Sequence, residues 1–251
     1  MTALALKLVL APLLIGGASL VGRRFGPGVA GWLIGLPFTS GPIALFLTLE
    51  RGETFGAAAA SGILAGTISQ AAFCLAYAWS ASGRRWPLAV AAGSIAFALV
   101  TIALDAASPP LATTAILAVV SLLISIPLMP RGNAPRGRQA LPAWDLPARM
   151  TLATLFVLVL TTIAGALGPY LTGLLSPYPL YAAILASFAQ HQQGAEAATR
   201  TLRGLLFGLF AFAGFFLILA LALEPLGIGA AFTLAIAIAV AIEAASFRLA
   251  N

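Results

Sequence analysis

The amino-acid sequence predicts an all-α integral membrane protein with about nine transmembrane helices, arranged as two inverted four-helix repeats joined by a linker helix. Apolar residues make up 61% of the chain and charged residues only 8%, whereas a soluble domain carries about 25% charged residues. Apolar runs of roughly 20 residues, the length needed to cross a bilayer, recur from end to end. The two halves also share one pattern of glycine, proline and phenylalanine.

The shared pattern relates the two halves by a constant offset of 142 residues without a gap. Its members are Gly26, Pro27, Gly31, Pro37, Phe46, Gly52, Gly62, Gly66 and Phe73 in the first half, and Gly168, Pro169, Gly173, Pro179, Phe188, Gly194, Gly204, Gly208 and Phe215 in the second. The glycines coincide more often than chance allows, which indicates an internal duplication. An apolar chain built from two related halves is the usual plan of a small transporter, with its site where the halves meet.

Nine spanning segments account for the apolar runs. They lie near residues 3–22, 27–49, 55–80, 86–104, 110–129, 150–167, 169–190, 197–222 and 226–248. We interpret the first as a spanning helix because no small-residue cleavage signal accompanies it. The chain then divides into a first repeat at residues 1–109, a linker helix with a basic loop at residues 110–148, and a second repeat at residues 149–251.

Arginines orient the chain in the membrane. Nine crossings place eleven arginines on one side and leave Lys7 and Arg51 on the other, so the positive-inside rule predicts a cytoplasmic C-terminus and an external N-terminus. Twelve arginines against one lysine, together with abundant alanine, suggest a GC-rich bacterial genome. The expected location is the bacterial plasma (inner) membrane, where arginines at helix ends are an orientation signal and not a nucleic-acid surface.

The linker helix is predicted to turn the second repeat upside down, because one unpaired crossing separates two sets of four. The charges agree with this inversion. Arg23 and Arg84 in the first repeat correspond to Gly165 and Leu226 in the second, so a basic residue is kept only in the copy that places it inside. Two copies of the same orientation would have no reason to lose charge so selectively.

The second segment is predicted to break near the middle of the membrane. Its break has Pro37 and Pro42 around Phe38, Thr39, Ser40 and Gly41. Each proline removes a backbone donor and clashes with the preceding turn, while glycine tolerates conformations that other residues avoid. Backbone groups freed in this way need protein or a wet cavity to receive them.

The seventh segment repeats the interruption at the corresponding depth. Its break carries Ser176, Pro177, Tyr178 and Pro179, with Tyr181 just beyond. Two interrupted helices at corresponding positions of inverted repeats are typical of a binding site at the bilayer midplane. The alternative is a pair of proline kinks that only shape the packing. We expect the solute to contact the polar and backbone groups of both breaks.

The third segment adds a polar side chain near mid-depth, Gln70, and two glycines one turn apart, Gly62 and Gly66. The glycine pair recurs as Gly204 and Gly208 and predicts close packing between helices. A buried glutamine needs partners for both ends of its amide. Gln70 is therefore either a tie between helices or a contact to the solute.

Titratable residues are scarce inside the predicted spans. Glu243 lies within the last segment and could carry a proton, although pairing with Arg248 near the cytoplasmic surface explains it equally well. His191, the only histidine, could titrate or close a gate, or it could be a solvated helix end. It has no second ligand at helical spacing, so neither a metal nor another cofactor is expected.

The residue sets that enzymes use are missing. The sequence has no histidine pair, no phosphate-binding glycine loop with its lysine and no Ser-His-acid set around its one histidine, so we do not expect an enzyme. The same scaffold could form a channel or pore, or a protein that binds lipid or assists membrane assembly without transport. The presence of both breaks argues against a passive scaffold.

The layout resembles inverted-repeat carriers in which two unwound helices cross at the centre of the bilayer, the broad group of bile-acid-type symporters and cation/proton antiporters. The resemblance covers the order of helices and the Gly/Pro pattern, and it implies a secondary carrier. The acidic or asparagine-rich ion site of that group is not evident here, which argues against sodium coupling. We expect alternating-access transport of a small organic anion or other small polar solute, with membrane lipids as partners and homodimerisation left open.

Overall fold

The computed structural model describes residues 23–37, 40–83, 85–130 and 177–250, together with isolated positions between residues 9 and 21 and between residues 144 and 155. Almost every residue in these ranges is helical, and no β-strand occurs among them. The prediction of an all-α protein is therefore confirmed for the part of the chain that the structure describes.

Seven helices are described, and we label them in chain order. They are α1 (Pro27–Ile34), α2 (Ser40–Arg51), α3 (Glu53–Ala81), α4 (Trp86–Ala107), α5 (Leu111–Leu128), α6 (Leu180–Gln193) and α7 (Ala195–Ala250). Helix α7 is interrupted at Gly227, where the backbone has a non-helical φ of 74°. This residue divides α7 into a first arm, residues 195–226, and a second arm, residues 228–250.

Most of the predicted segments have a described counterpart. Helices α3, α4 and α5 begin and end within about three residues of the predicted third, fourth and fifth segments, and the two arms of α7 correspond to the eighth and ninth. The second segment is divided into α1 and α2. The first and sixth segments and the start of the seventh fall largely outside the described residues, so the count of nine remains a prediction.

Four of the described helices, α3, α4, α5 and α7, are long and apolar enough to cross a membrane. Tryptophans mark one end of this apolar layer. Trp79, near the end of α3, is 64% exposed and donates from Nε1 to the Leu128 carbonyl oxygen at 3.0 Å, and Trp86 begins α4. Tryptophan prefers the membrane–water interface because one part of its ring is apolar and the other donates a hydrogen bond.

Helix α3 and the first arm of α7 form the centre of the bundle. Helix α3 packs against α2, α4, α5 and α7, whereas α4 and α5 expose most of their residues. Phe73, Tyr77 and Phe216 are among the largest side chains buried in this core. Helix α4 approaches α3 closely because Gly93 has no side chain, and a Cβ there would press on the Phe73 ring.

Two glycines at equivalent positions make the same turn. Gly52 is the single residue between α2 and α3 and has φ 92° and ψ 170°, and Gly194 between α6 and α7 has φ 92° and ψ 172°. Positive φ costs glycine little because it has no Cβ. The offset of 142 residues found in the sequence therefore relates two turns of the same conformation.

Helix α1 packs on the first arm of α7 through glycines from both helices. A Cβ at Gly31 would overlap the carbonyl oxygen of Thr201, and a Cβ at Gly204 would overlap the carbonyl oxygen of Gly28. The two backbones therefore touch directly, which is the packing that small residues one turn apart allow in membranes.

Replacing Gly204 with alanine is expected to destabilise the fold, because the added methyl group would force α1 away from α7. Overpacking of this kind lowers the free energy of unfolding by about 1–3 kcal/mol. Thermal unfolding of the detergent-purified protein measures the effect.

Gly229→Ala is the matched control, because Gly229 lies in the second arm of α7 with open space where its Cβ would be. Its stability should be unchanged or slightly higher, since alanine favours helix. Equal loss of stability in the two variants would contradict direct backbone contact at Gly204.

Candidate functional site

The helix interruptions predicted from the prolines are present in the described residues. Helix α1 ends at Ile34 and α2 begins at Ser40, and the described residues between them, 35–37, are not helical. We call these residues the first break. Residues 177–179, directly before α6, are also not helical, and we call them the second break. The two breaks are related by the offset of 142 residues.

The first break lies a few residues earlier than the prolines suggest. Ser40, Gly41 and Pro42 were predicted within the break, but they form the first turn of α2. The N–H groups of a first turn have no intrahelical acceptor within the helix itself, so Pro42 is tolerated there and does not interrupt the chain. Gly41 N–H instead donates to the Pro37 carbonyl oxygen at 2.8 Å.

Each break lies against a glycine in the middle of a long helix. A Cβ at Gly66 would overlap the Pro177 ring, and a Cβ at Gly208 would overlap the backbone of Gly35. Gly66 is at the centre of the 29-residue α3, which runs from one apolar boundary to the other. The second break is therefore about midway between the two ends of the bundle.

These two contacts are the same contact made twice. Adding 142 to Gly66 gives Gly208, and adding 142 to Gly35 gives Pro177. The break of each half therefore packs against the mid-helix glycine of the other half. Such an exchange of partners is the geometry of a twofold relation between two similar units.

The helices that support the breaks run alongside them in the same direction. Along α1, Gly28 faces Gly204 and Gly35 faces Gly208, so the residue numbers of both helices rise together. Helix α3 and the chain from the second break onward show the same order. Tyr77 Oη lies 3.5 Å from Ser187 Oγ, and further along Gln190 Nε2 donates to the carbonyl oxygen at the end of α3 at 3.2 Å.

The two breaks are close to each other in the bundle. Ile34, the last residue of α1, and Tyr181, in the first turn of α6, both pack against the buried pair Ala30 and Leu185. The end of one interrupted helix therefore shares its packing with the beginning of the other. The polar backbone of both breaks is concentrated in one region.

Polar side chains of α3 face the second break. Gln70 Nε2 donates to the Pro177 carbonyl oxygen, so this amide is a tie between α3 and the break. Its Oε1 has no hydrogen-bond partner among the described residues, and the same is true of the Thr67 hydroxyl one turn earlier. Gln70 is 5% exposed and Thr67 is 0% exposed.

Tyr178 of the second break is held by aromatic rings and one hydroxyl. The Phe73 and Phe97 rings meet its ring edge to face, with centroid distances of 5.9 and 5.4 Å, and Ser94 Oγ lies 2.8 Å from its Oη. Ser94 and Phe97 belong to α4 and were not predicted as site residues. No local motif marks them, and only the packing of α4 on α3 brings them to Tyr178.

The first break has apolar neighbours where the second has polar ones. The residues that correspond to Thr67 and Gln70 are Leu209 and Phe212, and both are buried. The Phe215 ring lies beside Gly41, where a Cβ would be 3.5 Å from it. Aromatic rings close this side of the bundle, and Phe212 and Phe215 both contact Phe216.

The remaining predicted residues lie in three places. Phe38, Thr39 and Ser176 are outside the described residues. His191 is exposed in the last turn of α6, far along the helix from the second break. Glu243 is 5% exposed. Its depth follows from the antiparallel packing of the two arms of α7, and we consider it next.

Glu243 lies deeper than its distance in sequence from Arg248 suggests. Gly214, in the middle part of the first arm, would contact Ile238 and Ile242 through an added Cβ, so Glu243 lies within about a turn of that level. No group of three or more His, Cys, Asp or Glu residues in the described ranges could hold a metal ion. A coupling role for Glu243 remains a prediction.

Replacing Gln70 with leucine is expected to destabilise the protein, because the buried Pro177 carbonyl oxygen would lose its donor. Leaving a buried acceptor unpaired costs about 1–3 kcal/mol, and thermal unfolding in detergent measures it.

Gln193→Leu carries the same change at an exposed residue of α6 and should leave stability nearly unchanged. If the two leucine variants unfold at the same temperature, Gln70 does not hold the second break.

Comparison of the chain with protein-family models, with curated proteins and with solved structures gives no match. The basis for a functional proposal is therefore the geometry of the two breaks: their depth, the glycines on which they pack and the polar atoms around them.

Proposed function

We propose that this protein is a secondary membrane transporter of nine transmembrane helices in two inverted repeats. It moves a small organic anion or another small polar solute by alternating access. The solute binds at the bilayer midplane, between the two breaks. ATP plays no part, since the sequence carries no phosphate-binding glycine loop.

The observation that carries this proposal is the exchanged contact at mid-depth. Gly66 packs against Pro177 while Gly208 packs against Gly35, so two non-helical segments meet the centre of the bundle in equivalent surroundings. Proline kinks that only shape a helix would not need to come in a related pair. Paired interruptions in related halves are the arrangement that transporters use for solute binding.

The directions of the helices support inverted repeats. Helix α1 runs with the first arm of α7, and α6 runs with α3. The chain reverses at Gly194 between α6 and α7, so α1 and α6 run in opposite directions although they occupy equivalent positions. A twofold axis that relates antiparallel helices lies in the plane of the membrane, as in inverted-repeat carriers.

The chemistry of the breaks favours a polar solute. Helices α2 and α6 begin at the breaks, and the N-terminal end of a helix offers unpaired N–H donors and a partial positive charge. Ser40 and Tyr181 lie in these first turns, and Tyr178 and Gln70 lie beside the second. These groups would receive an anion or a carboxylate without requiring a charged side chain.

Alternating access fits the way in which the two halves are joined. Each break packs on a helix of the other half through glycine, so the contact has no side chain to interlock and one surface can slide on the other. Rocking of one repeat against the other would then open the midplane site to one side at a time.

The topology can be tested with two cysteines at equivalent positions. Leu49 and His191 are related by the offset of 142 residues and both are exposed at helix ends. In a chain that carries Cys74→Ala, Leu49→Cys should react with a membrane-impermeant maleimide added outside cells. His191→Cys should react only after the membrane is permeabilised.

Reaction of both cysteines from the same side would contradict inverted repeats. Cys74 alone serves as the unlabelled control, because it is buried in the core.

The breaks themselves can be tested by restoring helix. Pro37→Ala combined with Pro179→Ala should abolish solute flux into proteoliposomes while the purified protein stays folded, because both breaks lose the residue that prevents a helical hydrogen bond. L-Lactate, succinate and L-alanine are suitable labelled probes.

Pro87→Ala combined with Pro225→Ala is the control, since both prolines are exposed near helix ends and flux should persist. Unchanged flux in the first variant would refute a role for the breaks. Single-channel current steps in planar bilayers would instead identify a pore.

A further inference from the structure

Thr67 is unlike the other buried threonines of the described helices. Thr48, Thr199 and Thr201 each donate to the carbonyl oxygen four residues earlier, at 2.7 to 3.0 Å. This is the usual way for a threonine hydroxyl to be satisfied inside an apolar helix. The Thr67 hydroxyl is fully buried and has no partner among the described residues. Its donor and acceptor capacity remains available to a ligand.

Gln70 holds a second unused acceptor at the same place. Its Nε2 donates to the Pro177 carbonyl oxygen, which fixes the amide against the second break. The other end of the amide, Oε1, is buried and has no partner within the described ranges. Thr67 and Gln70 are three residues apart on α3, so they face the same side of the helix. An amide Oε1 only accepts, and it therefore requires a donor.

The start of α6 supplies the opposite kind of group. Helix α6 begins at Leu180, and its N-cap, Pro179, makes no side-chain capping hydrogen bond. The first N–H groups of the helix therefore point out of its end as donors, with the positive end of the helix dipole behind them. A carboxylate fits these donors. The second break thus combines buried acceptors on α3 with donors on α6.

Charge narrows the ligand further. Helix α3 carries no charged residue after Glu53, and α6 carries none before His191 at its far end. A ligand with a net charge would have to be buried without a counter-charge, which is costly in an apolar bundle. A ligand that holds both signs brings its own counter-charge.

We propose that the second break binds a small zwitterion, an amino acid with free amino and carboxylate groups. The ammonium group donates to Gln70 Oε1 and Thr67 Oγ1, and the carboxylate accepts from the N–H groups at the start of α6. This inference rests on the proposed function, since it defines the solute of the transporter's midplane site. It predicts that neither half of the molecule is sufficient for binding.

Matched probes test the two contacts separately. Thermal stability of the detergent-purified full chain is measured with L-alanine, propionate and ethylamine, and again with L-leucine, 4-methylpentanoate and isoamylamine. Choline chloride and sodium chloride control for ionic effects. A bound ligand raises the unfolding temperature by mass action. At least one of the two amino acids should stabilise the protein, and its deaminated and decarboxylated counterparts should not.

Thr67→Val is the decisive variant, because it removes the hydroxyl and leaves the Gln70 tie intact. Without ligand the variant should be as stable as the natural protein or more so, since no hydrogen bond is lost. With ligand it should need at least a tenfold higher amino acid concentration for the same stabilisation. Thr201→Val is the control: Thr201 is equally buried, but its hydroxyl already donates to Ala197, so binding should not change.

Each other result overturns the zwitterion. Equal stabilisation by propionate would remove the ammonium contact, and equal stabilisation by ethylamine would remove the carboxylate contact. Stabilisation by sodium chloride alone that is lost in Thr67→Val would assign these oxygens to an ion. Absence of stabilisation by either amino acid would show that the second break is no amino-acid site. The cysteine topology and the flux measurements with lactate and succinate report separately on the transporter.

Discussion

A bilayer does not allow a backbone to be left without hydrogen bonds, and the two breaks create that situation at the centre of the bundle. The chain meets this constraint by bringing other parts of itself to the freed groups. Gln70 donates to the carbonyl oxygen of Pro177, Gly41 N–H reaches Pro37, and mid-helix glycines let whole backbones approach. The arrangement of α1, α3, α6 and α7 follows from the need to surround these two short segments.

Features that depend on near neighbours in the chain could be predicted from the sequence. Apolar runs locate α3, α4 and α5 within a few residues, and the prolines locate both interruptions. Pro42 misleads, because a proline that starts a helix looks the same as one that breaks it. The partner of each glycine could not be predicted, since Gly66 and Pro177 are brought together only by tertiary packing. Ser94 and Phe97 were missed for the same reason.

The duplicated halves have kept their backbone relation while their side chains have diverged. The turns at Gly52 and Gly194 and the contacts of Gly66 and Gly208 still correspond. Thr67 and Gln70, in contrast, correspond to Leu209 and Phe212. Backbone contacts are under steric control and tolerate little change, whereas side chains that face the interior can specialise. A polar surface in one half and an aromatic surface in the other give the central region two unlike walls.

The exchanged packing also has a consequence for biogenesis. Pro177 is synthesised after α3, so the second break finds its glycine already in place. Gly35 must wait for Gly208, which is 173 residues later in the chain; at roughly 5–20 residues per second this delay is about 10–35 s. During that interval the nascent first half carries an uncovered interruption in the membrane. Its early helices therefore need the insertion machinery, or lipid headgroups and water, to shelter them until the C-terminal hairpin arrives.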